Sequence, residues 1–89
     1  MPERQVTIVN KLGLHARAAS KLVNLAKGFV SNIELVQGET RVDGKRIMSV
    51  MLLGATQGTD LVLAAEGEDA DEALEALAAL IADYFGEGQ

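Results

Sequence analysis

Residues 4–28 read RQVTIVNKLGLHARAASKLVNLAKG, and the spacing of their apolar positions changes part-way along. Val6 and Ile8 alternate with Gln5 and Thr7, the period-two pattern of a strand over residues 4–9. Residues 10–14 read as a loop. From there the spacing is helical: Ala16, Ala19, Val23 and Ala26 fall on one face with Leu22 and Leu25 beside it, and Gly28 after Lys27 is a natural stop. The opposite face carries Arg17, Ser20, Lys21, Asn24 and Lys27, so this helix is amphipathic with a basic outer stripe.

Working outward, residues 32–37 (NIELVQ) and 40–43 (TRVD) flank Gly38-Glu39 as a β-hairpin, and Asp43-Gly44 is a further turn. Residues 46–53 (RIMSVMLL) form either a short helix or a buried strand; periodicity alone does not separate the two. Residues 60–66 (DLVLAAE) read as a strand that Gly67 ends. Asp69 and Glu72 then make a capping-box-like pair before a long helix with the stripe Leu74, Leu77, Ile81, Tyr84 and Phe85, stopped by Gly86. With residues 46–53 taken as a short helix the order is βαββαβα, and four strands with helices on one face make an α+β fold. No stretch reads as a linker or repeat, so residues 1–89 are expected to form one domain.

Composition narrows the function. The chain has no cysteine and one histidine, which excludes disulfides, thiolate metal sites and multi-histidine centres; no metal and no cofactor are expected. No apolar run approaches the ~20 residues that span a bilayer, and the first ten residues lack a signal-peptide pattern, so a cytoplasmic protein without membrane insertion is expected. The net charge of −5, with one tyrosine and no tryptophan, argues against nucleic-acid binding. That total hides a split: all eight Lys and Arg lie in residues 1–46, which carry +4, whereas residues 47–89 hold nine acids and no base. The chain is expected to have one basic and one acidic face.

His15 stands just before the first helical residue. The partial positive charge and free N–H groups of Ala16, Arg17 and Ala18 make that position receptive to an anion, and Arg17 adds a full charge. A cationic surrounding disfavours imidazolium, so His15 is expected to be a neutral nucleophile near pH 7. The plainer alternative is an ordinary helix cap or surface histidine.

The string NKLGLHARAA, residues 10–19, resembles the active-site segment of the HPr family, the histidine-containing phosphocarriers of the bacterial phosphotransferase system. GKRIMSVMLLGA, residues 44–55, is similar to that family's second-helix segment, and the acidic EGEDADEAL, residues 66–74, to the opening of its last helix. The resemblance spans nearly the whole chain. It implies an HPr-like open-faced β-sandwich, a four-stranded antiparallel sheet with three helices on one face. It also implies that His15 accepts a phosphoryl group on Nδ1 from phosphorylated Enzyme I, which draws it from phosphoenolpyruvate, and passes it to a IIA protein or domain for sugar uptake or regulation. Arg17 would steady the phosphoryl charge. Such a protein is a monomeric carrier with a phosphohistidine intermediate rather than a stand-alone enzyme.

The resemblance also implies a partner surface of Ser20, Lys21, Asn24, Lys27, Lys45, Arg46, Ile47, Met48 and Met51. If Val50 and Leu53 point inward, Ile47, Met48 and Met51 are left partly outside, and methionine adapts to several partners. The alternatives are a wholly buried apolar segment and a merely solvated basic face. The acidic run of residues 66–75 is explained by helix-end charge and solubility.

Two positions depart from the family pattern. Ala18 stands where many relatives have proline, which restores one N–H at the helix start. Arg46 stands where kinase-regulated relatives have a serine, and Ser49 is out of register, so no regulatory phosphoserine is expected. The missing serine favours a general or regulatory carrier, and the nitrogen-related branch, NPr, is the alternative to sugar uptake. A non-catalytic ferredoxin-like binding module is a further alternative, weakened by the lack of strand aromatics, of a P-loop and of a G-x-S-x-G elbow.

Overall fold

The computed structural model describes residues 2–87; the expected domain range of 1–89 extends over Met1, Gly88 and Gln89, which lie outside the described residues. The elements are β1 (Glu3–Thr7), α1 (Ala16–Ala26), β2 (Asn32–Gln37), β3 (Thr40–Asp43), α2 (Ile47–Leu52), β4 (Asp60–Glu66) and α3 (Ala70–Ala82), followed by a 3₁₀ turn at Tyr84–Gly86. The four strands form one antiparallel sheet in the order β1-β4-β2-β3. The α+β architecture expected from the element order, and the open-faced sheet that the resemblance implies, are the ones found.

Strand alternation decides which side is covered. Val6 pairs with Leu61, Leu35 with Leu63, and Ile33 with Ala65, and these side chains point toward the helices. Gln5, Val62, Val36 and Arg41 line up across the other side, where Arg41 pairs with Glu34. The core between sheet and helices is aliphatic: Ile8, Leu22, Ile33, Leu35, Leu61, Leu63, Leu77 and Ile81 are buried, with Phe85 the one large ring among them. Alanines at 18, 19, 26, 73 and 78 bring the helix backbones close to the sheet.

Four local expectations are corrected. The first strand ends at Thr7, although Ile8 continues its path by accepting from the Gly58 N–H at 2.7 Å. Ala16 is exposed rather than on the buried face of α1, because the face that packs is set by Ala18, Ala19, Leu22, Val23 and Ala26. Asp69 and Glu72 form no capping box. Asp69 instead accepts from the N–H groups of Val30 (2.9 Å) and Ser31 (3.0 Å) and from the Ser31 hydroxyl, so it fastens the start of α3 to the entry of β2.

The fourth correction bears on the site. The last helix stops at Ala82, and Tyr84, Phe85 and Gly86 take φ of 57°, 53° and 74°. For non-glycine residues this left-handed backbone costs roughly 1–2 kcal/mol each. It turns Phe85 fully into the core while Tyr84 stays 40% exposed, so the apolar stripe splits at its end. Truncating a buried Phe to Ala costs about 3–5 kcal/mol, enough to hold the turn. Residues 46–53, left open between helix and strand, contain the helix α2, which buries Val50 alone.

Candidate functional site

The site is built where three loops meet. Asn10 is buried, and its side-chain amide donates to the Gly13 carbonyl at 2.8 Å, which closes the loop before α1. Gly13 has φ +66°, and a Cβ there would stand 2.4 Å from the Ala55 carbonyl oxygen. Only glycine fits so close an approach. The Leu14 N–H donates to that same carbonyl at 2.9 Å. The segment after α2 is thereby locked against the residue preceding His15.

His15 is the N-cap of α1, with extended φ −70° and ψ 173°; its carbonyl accepts from the Ala19 N–H at 2.8 Å. Its side chain makes no capping hydrogen bond, and the first turn of α1 contains no acid. The N–H groups of Ala16, Arg17 and Ala18 therefore keep the donor capacity of a helix start. Ala18 packs inward, whereas Ala16 and Arg17 face out. An imidazole beside unneutralised N–H groups and a guanidinium can present a nucleophilic nitrogen and receive an incoming anion in the same place.

The left-handed turn after α3 delivers a carboxylate to this position. The Lys21 ammonium donates to the Phe85 carbonyl at 2.7 Å, and the Glu87 carboxylate meets His15 Nε2 at 2.9 Å. The Arg17 Nε lies 3.9 Å from the other Glu87 oxygen, a looser contact for a side chain that is 75% exposed. The hydrogen bond from His15 holds the Glu87 carboxyl below the usual carboxylate range, against desolvation, and the charges of Lys21 and Arg17 add to that lowering. Leu12, His15, Ala16, Arg17, Lys21, Gly86 and Glu87 line one open cleft.

The remaining expected site residues divide. Ser20 is half-buried, and Asn24 and Lys27 are exposed along α1. Lys27 lies twelve residues beyond His15, roughly 18 Å along the helix axis, and so reaches only the far edge of any shared surface. The Lys45 ammonium donates to the Phe29 carbonyl at 2.7 Å, beyond the end of α1. Arg46 caps α2 in sequence, is 78% exposed and lies 3.5 Å from Asp43. On α2, Met48 is 71% exposed, and Ile47 and Met51 are near the margin of exposure.

Three contributors escaped sequence reasoning. Leu12 and Leu52 are 70% and 80% exposed and extend the apolar surface. Leu52 was legible as the residue four beyond Met48 on one helical face. Leu12 had no comparable signal, and neither had Glu87, whose approach depends on two residues taking positive φ. No helix of the described residues is long and apolar enough to cross a membrane.

Comparison with known proteins places this geometry. The family described as "PTS HPr component phosphorylation site" matches residues 2–83. The chain belongs to the HPr family.

It is 51% identical to the phosphocarrier protein HPr of Cupriavidus necator over the full length of both chains. It is 47% identical to the phosphocarrier protein NPr of Shewanella violacea, covering 96% of this chain and 93% of that one. The crystal structure of HPr from Thermoanaerobacter tengcongensis superposes with a TM-score of 0.94 at 45% identity, covering 98% of each chain, and that organism's HPr is also known as a dimer. As an HPr-family member the chain is a phosphocarrier of the phosphotransferase system and acts with other components of that system. The ferredoxin-like binding module is not favoured.

Proposed function

We propose that His15 is the residue of this carrier that takes the phosphoryl group, from phosphorylated Enzyme I, and yields it to a IIA protein or domain. The observation that carries this reading is the acid-free start of α1, where the lone histidine has no capping bond and Arg17 stands in the first turn. The imidazole attacks phosphorus with a nitrogen lone pair. Arg17 and the N–H groups of Ala16, Arg17 and Ala18 then offset the charge that arrives. A partly exposed Arg gives support that is released as readily as it is given, which suits a group passed on in both directions.

The proposed docking surface joins Arg17, Ser20, Lys21 and Asn24 to the apolar residues Ile47, Met48 and Met51, extended by Leu12 and Leu52. It is supported by the lock between Leu14 and Ala55, which sets the end of α2 beside His15. Lys27, Lys45 and Arg46 form its outer margin. Acidic partner surfaces fit its charge, and methionines allow more than one partner to fit. The carrier works as a cytoplasmic monomer folded from residues 1–89 as one domain; sedimentation at working concentration should give one monomeric species.

A second reading concerns the branch. Arg46 offers no hydroxyl at the N-cap of α2 and adds positive charge there, which supports a general or regulatory carrier, with an NPr-type relay as the alternative to sugar uptake. The test is a pulse and chase: labelled phosphoenolpyruvate with Enzyme I, then unlabelled donor with either a sugar-type or a nitrogen-type IIA. Label should enter the protein and leave to one IIA class faster than to the other. Label that never enters, or never leaves, contradicts the carrier role of this site.

A further inference from the structure

We propose that Glu87 is a positioning residue that holds the His15 ring with its proton on Nε2 and so presents the lone pair of Nδ1. The proposal rests on His15 being the phosphoryl acceptor. Its ground is geometric. An ionised carboxylate only accepts hydrogen bonds, so a 2.9 Å contact between Glu87 Oε1 and Nε2 requires a proton on Nε2, and whenever the ring is neutral that contact selects the Nε2–H tautomer and leaves Nδ1 unprotonated. Among the described residues nothing bonds Nδ1, and the helix start beside it is uncapped.

The contact is a built one rather than a chance approach of a chain end. Tyr84, Phe85 and Gly86 all have positive φ, Phe85 is anchored in the core, and Lys21 grips the Phe85 carbonyl. Glu87 is two residues beyond that anchor, and its side chain is only 15% exposed although it lies at the surface of the cleft. Backbone held in a sparsely populated region next to a reactive group is commonly over-determined by its surroundings. Here the anchor and the grip supply that.

In the transfer step the Nδ1 lone pair forms the N–P bond while the bond from phosphorus to its donor in Enzyme I breaks, and the donor keeps that electron pair. The Nε2 proton stays where it is. The ring gains positive character, which the Glu87 carboxylate offsets through Nε2, and Arg17 is close enough to leave Glu87 for the phosphoryl oxygens. The same carboxylate thus orders the ring before transfer and balances it afterwards.

The test compares wild type, Glu87→Ala and Glu87→Gln in the full chain. Long-range proton–nitrogen NMR of the His15 ring reads which nitrogen carries the proton. Phosphoryl acceptance from phosphorylated Enzyme I is timed in parallel. Wild type should show Nε2 protonated. Glu87→Ala should give a mixture of tautomers and accept about fivefold more slowly. Glu87→Gln, whose amide oxygen still accepts from Nε2, should keep the tautomer and recover part of the rate. Measured at a pH where the ring is neutral, a proton on Nδ1 in wild type overturns the proposal, and so does Glu87→Ala with unchanged ring shifts and rate. A wild type that accepts no label at all instead refutes His15 as acceptor, and the ring spectra, which need no transfer, separate the two failures.

Discussion

At the start of α3 stand Asp69, Asp71 and Glu72; at the start of α1 stand His15, Ala16 and Arg17. Both helix starts expose N–H groups and the positive end of a helix dipole. At α3 the positive end of the dipole faces the carboxylates of Asp71 and Glu72 in the first turn, while Asp69 bonds Val30 and Ser31 across to β2. At α1 the first turn holds no acid, and a cation is added. Stability alone favours the arrangement at α3. The arrangement at α1 is the one that leaves capacity for an anion brought from outside, and among the described residues the acid that reaches it is Glu87, which lies 72 residues away in sequence and bonds the histidine.

The comparison breaks most directly if α1 is made to resemble α3. Arg17→Glu places an acid in the first turn of α1 and should slow phosphoryl acceptance about hundredfold, measured with phosphorylated Enzyme I, while circular dichroism stays that of the parent. Arg17→Ala removes the cation without supplying an anion and should slow it about tenfold. A rate unchanged in both would remove the charge at α1 from the mechanism.

The opposite change sharpens the other half. Asp69→Asn should lower the thermal midpoint and leave transfer untouched. Its pH dependence has a definite sign. The Ser31 hydroxyl above all, and then the Val30 N–H, hold the Asp69 carboxyl below its ordinary range. That contribution is present above the ordinary carboxylate value of about pH 4 and is lost as pH falls through the lower folded value. Thermal melts from pH 7 downward should therefore show the parent losing its advantage over Asp69→Asn in acid. A constant gap would contradict the role given to Asp69.

The smallest expected effect is ionic. Raising salt from about 0.01 M to about 1 M shortens the screening length from about 30 Å to about 3 Å, so transfer should slow several-fold if basic residues around His15 steer acidic partners.

Sequence periodicity carried much of the fold because each strand and helix buries a regular set of apolar residues. Ile8, Leu22 and Val23, and Leu74, Leu77 and Ile81 marked their buried faces directly, with Val6 partly buried against the same core. The short apolar segment of α2 stayed ambiguous since six residues buried only at Val50 leave no period to read. His15 and Arg17 were legible because they are local to one helix start. Glu87 and the diversion of Lys45 to Phe29 were not, because both follow from loop geometry between distant segments. The net charge of −5 was a poor guide to the site for the same reason: it averages the acid-rich start of α3 with the acid-free start of α1.

The measurement that tests the account most directly is the position of the phosphoryl group. Wild type and His15→Ala are incubated with Enzyme I and labelled phosphoenolpyruvate, and the acid-labile label is mapped along the chain. The account predicts label on His15 in wild type and none in His15→Ala, with the variant still folded. Equal labelling of a folded His15→Ala protein would contradict it.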